Sequence, residues 1–272
     1  YQISQYAFPF LTGGELKNIS LTRVHLEEDT ARNQHDKDKG SLVDFNRAGV
    51  PLMELVTEPV IHDAETAGDF ARELQLLLRT LDISDANMER GEMRVEANIS
   101  VSQTADVLGT KVEVKNINSF KAVEAAINYE VARQIELLTN GGVIAQETRG
   151  WDENKARTFS QRSKETAKDY RYFPDPDIPK INIAQHDQFI AARLDEKMTV
   201  LPDKKRLEYK KLGLPSSSIE VIISSVELDR YFSKLVKMDS MSAGVAKLAS
   251  NYLTSDVNSV LDNEVYSLEA LK

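Results

Sequence analysis

Three short segments of this chain carry carboxylates within strand-like alternation. They are Arg23-Val24-His25-Leu26-Glu27-Glu28-Asp29, Arg94-Val95-Glu96-Ala97-Asn98 and Lys111-Val112-Glu113-Val114-Lys115-Asn116. Carboxylates that share a sheet face repel one another unless a cation sits among them. Hard oxygen ligands suit Mg²⁺, which takes one or two carboxylates and fills its shell with water and phosphate oxygens. Arg94, Lys111 and Lys115 are interleaved with these acids and suit the phosphates of a nucleotide, where charge stabilisation dominates catalysis. No Walker-type glycine loop is present, so an ATP site here is one built from a sheet and a metal. The competing reading is a plain ion-pair lattice in which the same Lys and Arg neutralise the same acids. His25, Glu27 and Asp29 share one strand parity and Glu28 the other. His25 beside them reads as a hydrogen-bonded structural histidine, and no residue is identified as the catalytic acid or base.

The elements that must position these groups follow from periodicity. Met93, Val95, Ala97, Ile99 and Val101 alternate with Glu92, Arg94, Glu96, Asn98 and Ser100, a half-buried strand. Val112 and Val114 alternate with Lys111, Glu113 and Lys115, so a hairpin of the two places Glu96 and Glu113 on one face as near neighbours. Asp63 caps a helix with Ala67, Phe70, Leu74, Leu77 and Leu81 on its apolar side. A second helix starts at Ser119, with Phe120, Val123, Ile127, Val131, Ile135 and Leu138 as its predicted buried stripe, and ends at Asn140-Gly141-Gly142. Both helices are expected to cover one face of the sheet. The run Phe173-Pro174-Asp175-Pro176-Asp177-Ile178-Pro179 cannot be helical and closes a first domain. Helical patterns resume at Leu201, and Leu42 to Glu54 reads as a structural turn around Gly49.

Composition narrows the class. With 41% hydrophobic and 28% charged residues, a net charge of −9, no cysteine and no apolar run of membrane-spanning length, the chain suits a soluble protein. An acidic balance argues against a general nucleic-acid coat. It leaves two basic stretches, Arg149 to Arg171 and Lys204 to Lys211, which read first as solvated faces. The lack of cysteine is compatible with a cytoplasmic setting.

Five ordered motifs then carry a resemblance. His25-Leu26-Glu27-Glu28-Asp29, Asp44-Phe45-Asn46-Arg47-Ala48-Gly49-Val50-Pro51-Leu52-Met53-Glu54, Glu113 to Phe120, Gln146-Glu147-Thr148-Arg149 and Asp169 to Pro174 resemble the B subunit of the aspartyl/glutamyl-tRNA amidotransferases. The resemblance is collinear over about the first 180 residues and looser after Leu201. It implies an α+β fold: a glutamine-synthetase-like cradle with a mostly antiparallel sheet over 1–180, a linker over 181–200, and a small all-helical domain over 201–272. It implies ATP- and Mg²⁺-dependent phosphorylation of the side-chain carboxylate of Glu or Asp misacylated onto tRNA(Gln) or tRNA(Asn). Ammonia from the glutaminase, the A subunit, then displaces the phosphate, and a small C subunit ties the assembly together. A non-catalytic scaffold docking the glutaminase and tRNA is the alternative.

The same resemblance implies metal ligation by Glu27 or Glu28, with Glu28 favoured, and by Glu96 and Glu113. Arg94, Lys111 and Lys115 are the expected nucleotide-binding cations. Glu96 stands where the family usually has Asp, which adds one methylene to the ligand's reach. The opening Tyr1-Gln2-Ile3 and the helical close at Leu268 to Lys272 lead us to expect a piece of a longer protein. The expected missing parts are the family's first Glu-x-His strand and its tRNA-binding tail, which would leave the fragment alone inactive.

Overall fold

Period-two stretches become strands, and their pairing decides which side chains meet. The computed structural model describes residues 3–36, 40–104, 107–163, 174–189, 191–238 and 242–257. Strands β1 (Leu11–Thr12) and β2 (Glu15–Leu16) pair antiparallel along one edge of β3 (Ile19–Glu28). Strands β4 (Arg32–Asp36) and β5 (Gly40–Asp44) form a separate hairpin. The chain then returns as β6 (Pro51–Thr57) along the other edge of β3, where His25 faces Glu54 and Glu27 faces Leu52.

Helix α1 (Ala64–Thr80) begins on its cap, with the Thr66 amide donating to Asp63 Oδ1 at 2.7 Å. That bond and the Thr66 hydroxyl hold the Asp63 carboxyl below its ordinary pKa. After it, β7 (Val95–Ile99) and β8 (Val112–Ile117) form the expected antiparallel pair. A bulge lies between Val95 and Ala97. Asn116 adopts φ 62° opposite it, a conformation that Asn tolerates better than most residues.

Helix α2 (Phe120–Thr139) starts on Ser119, whose hydroxyl accepts from the Ala122 amide at 3.1 Å. It crosses over to β9 (Glu147–Asp152), which runs parallel to β8, and β10 (Arg157–Ser163) completes the sheet in the order β10-β9-β8-β7. The sheets are therefore antiparallel except for this one pair among the described residues. A strand, helix and parallel strand in succession need such a crossover. Val112 and Val114 face α2, and Val114 forms a core with Ile99, Ala122, Val123, Ala126 and Trp151.

The predicted stripe of α2 needs correction. Its buried residues are Ala122, Val123, Ala126, Glu130 and Gln134, whereas Ile135 and Leu138 are exposed. A charged side chain occupies the centre of the buried face because partners from β9 and β10 reach it. Helix α1 approaches α2 through Arg72, which bonds Glu124 at 2.9 Å.

The chain divides into two units, 1–74 with 88–182 and 75–87 with 183–272. The boundary at residue 180 read from sequence does not include this excursion of 75–87. The second unit holds α3 (Ala191–Lys197), α4 (Pro202–Lys211), α5 (Ser216–Ser224), α6 (Val226–Val236) and α7 (Ala243–Tyr252). Tyr209, Ile219, Ile222, Leu228, Phe232 and Ala246 are among its buried core residues. Lys205 and Arg206 of the basic stretch on α4 are engaged within this unit. Lys205 pairs with the buried Asp229, and Arg206 bonds Glu220 at 2.8 Å.

Candidate functional site

The predicted acids fall into two groups. On β3, alternation sends Glu27 and Glu28 to opposite faces. Glu27 joins His25, and β6 supplies Glu54 directly across from that histidine. His25, Glu27 and Glu54 each offer a ligand atom, and these atoms all lie within 4.8 Å of one another. Among the described residues this is the one such set of three, and Glu28, Glu96 and Glu113 lie outside it.

His25 is fully buried. Its Nε2 lies 3.0 Å from Glu27 Oε1, and the Ser4 hydroxyl donates to the same oxygen at 2.8 Å. Its Nδ1 is buried without a hydrogen-bond partner among the described residues. The Tyr6 ring meets the imidazole edge-on at 6.1 Å and carries the Arg23 guanidinium 4.7 Å from its centroid. Glu28 instead directs Oε1 toward Gly49, 3.6 Å from where a Cβ would stand.

The Asp44 to Glu54 motif shows what Arg47 does. Its Nε donates to Asp29 at 2.6 Å and its Nη1 to the Gly91 carbonyl at 2.5 Å. The Gly49 amide bonds the Asp29 carbonyl at 3.0 Å. Arg47 thus ties the end of β3 to the segment leading into β7. Arg94, the first predicted phosphate cation, is largely exposed and stands 3.9 Å from Asp29.

The second group lies on the face of the four-stranded sheet away from α2. The bulge brings Glu96 beside Lys115, whose Nζ is 3.0 Å from Glu96 Oε2 and 3.6 Å from Glu113 Oε1. Burial works against the charge on Lys115, but Glu96 and Glu113 outweigh it and raise its pKa above the ordinary lysine value. Thr148 donates to Glu113 Oε2 at 2.8 Å. Lys111 is exposed one residue before β8.

Sequence reading did not assign Glu54, Ser4 or Thr148. Glu54 sits in an apolar run whose pairing partner was not evident. Thr148 belongs to a quoted motif, but only the parallel β8–β9 register opposes it to Glu113. The Gln146 to Arg149 motif also carries Arg149 on the α2 face. Of the Asp169 to Pro174 motif, residues 169–173 lie outside the described residues.

The His25, Glu27 and Glu54 donors have the chemistry that suits a hard divalent cation. Carboxylate oxygens suit Mg²⁺, and an imidazole nitrogen beside them is compatible with Mn²⁺ as well. Cationic groups stand next to carboxylates in both groups, as Arg23 is 3.9 Å from Glu54.

Comparison with known proteins gives a consistent picture. Residues 1–188 match the GatB/GatE catalytic domain. The chain is 42% identical over 274 residues to the aspartyl/glutamyl-tRNA(Asn/Gln) amidotransferase B subunit of Caldicellulosiruptor saccharolyticus, covering 97% of this chain and 56% of that protein. It is 44% identical over 280 residues to the B subunit of the same name from Bordetella avium, covering 97% and 57%. To the chloroplastic/mitochondrial glutamyl-tRNA(Gln) amidotransferase B subunit of Ostreococcus lucimarinus it is 42% identical over 282 residues, covering 97% and 56%. The chain thus spans little more than half the length of these relatives.

Proposed function

This chain belongs to the GatB/GatE catalytic-domain family, and from that premise we propose that it is the catalytic part of a glutamine-hydrolysing aminoacyl-tRNA amidotransferase. The proposed reaction moves the γ-phosphoryl group of ATP to the side-chain carboxylate of Glu or Asp misacylated onto tRNA(Gln) or tRNA(Asn). Ammonia from the glutaminase then displaces phosphate and leaves the amide. The A and C subunits and the misacylated tRNA are the proposed partners. The first unit is the proposed glutamine-synthetase-like cradle, and the second the helical domain. Among the described residues, no helix is long and apolar enough to cross a membrane.

The observation that carries this reading is the pairing of β7 with β8. It sets Glu96 and Glu113 around Lys115 on the sheet face away from α2. Glu96, Glu113 and the carboxylates on β3 and β6 would hold Mg²⁺. A cation bound there supplies positive charge to phosphate oxygens during transfer. Lys115 and Arg94 are placed beside those carboxylates to bind phosphate oxygens and orient them. Of the adjacent glutamates, Glu27 rather than Glu28 is the better proposed ligand, because His25 and Ser4 already fix its carboxylate.

One observation favours the scaffold alternative: Lys115 bridges Glu96 and Glu113, as in a plain ion-pair lattice. The two readings separate in the full-length protein assembled with its partners. Glu113→Gln should abolish tRNA-dependent ATP cleavage while leaving the assembly intact. Unchanged cleavage would sink the metal-site reading.

A further inference from the structure

Thr148 is 8% exposed and sits in the middle of the sheet. Register opposes it to Glu113 in the parallel pair, with Val114 opposite Arg149 and Lys115 opposite Gly150. Residues in register share a face, so Thr148 lies with Glu113 and Lys115, away from the side to which Val112 and Val114 point. Its hydroxyl donates to Glu113 Oε2 at 2.8 Å. Lys115 approaches the other oxygen, Oε1.

We propose that Thr148 is a positioning residue that orients the Glu113 carboxylate for a divalent cation. This rests on the reading of Glu113 as a metal ligand and goes one shell further out. A hydroxyl hydrogen bond to one carboxylate oxygen fixes the rotation of the group. It leaves Oε1 on the side shared with Lys115 and Glu96, where a cation would be held. Threonine suits this role because its β-branch restricts χ1. Its strand is also anchored from the opposite face. Arg149 donates to Glu147 at 2.6 Å and to Thr158 Oγ1 at 2.8 Å, and it lies 3.5 Å from the buried Glu130. With β9 held there, the Thr148 oxygen is fixed relative to β8. Partners of this kind commonly set metal affinity about as strongly as weak ligands do, with losses of about 10- to 100-fold on removal.

The bland alternative is a strand threonine that satisfies its hydroxyl on the nearest acceptor. The distinguishing readout is Mn²⁺ affinity of the full-length protein assembled with its partners, measured by electron paramagnetic resonance without nucleotide. Glu113→Gln serves as reference and should weaken the Glu113-dependent site by at least about 10-fold. Thr148→Val keeps shape and strand propensity but removes the donor, and should weaken the same site by about 10- to 100-fold. Thr148→Ser restores the donor and should recover most of the lost affinity. If Thr148→Val does not assemble, Thr148→Ala removes the same hydroxyl with less bulk and carries the same expectation. Parent-like Mn²⁺ binding in the donor-less variant, beside a weakened Glu113→Gln, would overturn the role of Thr148 while leaving the metal reading intact. Equal weakening in the Ser and Val variants would overturn it too, because the hydroxyl would then not be the cause. Parent-like binding in Glu113→Gln itself would instead remove the metal reading beneath both.

Discussion

The two faces of the four-stranded sheet both carry charge, and they hold it in different ways. Toward α2, Glu130 is 0% exposed and meets Arg133 at 2.6 Å and Arg149 at 3.5 Å. Glu147 meets the same two arginines, at 4.0 and 2.6 Å. Thr158 and Gln134 donate to Glu130 at 3.0 and 2.9 Å, and Ser160 donates to Glu147 at 2.5 Å. Although burial opposes its charge, the Ser160 bond and the arginines hold Glu147 below its ordinary pKa. On the other face the Lys115 ammonium reaches both Glu96 and Glu113. Carboxylates that each meet two arginines in a closed, hydrogen-bonded network stabilise the link between helix and sheet. Glu96 and Lys115 on the other face keep more than a third of their side-chain surface exposed, within reach of a cation from solution. Position in the same strands does not decide the role; the burial of the groups does.

Removing a buried partner should therefore cost far more than removing an open one. Glu130→Ala leaves Arg133 and Arg149 facing a buried gap, and breaking such a network costs about 3–5 kcal/mol. Urea unfolding of the variant should show a loss of that size, and a loss below about 1 kcal/mol would mean that the network is not structural. Thr158→Val is milder. It removes the donor to Glu130 and the acceptor for Arg149 Nε, and should cost about 1–3 kcal/mol by the same measurement. A neutral result would place the α2 face much nearer the open face in character.

The contrast between faces was only half legible in the sequence. Val112, Glu113, Val114 and Lys115 alternate strictly, and period two assigns their faces without any partner strand. Ser119 announced its helix through cap chemistry. Glu130 was not readable, because a glutamate within a helix reads as solvated until Arg149 and Thr158 arrive from strands that follow in the chain. The apolar Ile135 and Leu138 drew the predicted stripe away from it. Glu27 could be assigned to the parity of His25 and Glu28 to the other, but that Glu54 stands across from His25 depends on the β6 register. Thr148 depends on the parallel register of β8 and β9. A spacing of strand, helix and strand hints at that crossover without fixing its register.

Lys115→Met tests the open face alone. Lys115 is partly exposed, so solvent screens its pairs with Glu96 and Glu113, and its loss should cost no more than about 1 kcal/mol. The sign of its pH dependence follows from the raised pKa. A lysine held above its ordinary value stabilises fully at any pH below that value, and the contribution disappears as pH rises through the raised folded value. The difference in unfolding free energy between parent and Lys115→Met should thus be constant near neutrality and vanish in strong alkali. A penalty approaching that of Glu130→Ala would make Lys115 part of the frame and erase the distinction between the two faces. A small penalty joined to weakened nucleotide binding, read by equilibrium dialysis of ATP, would instead mark Lys115 as a group that the fold can spare and the ligand cannot.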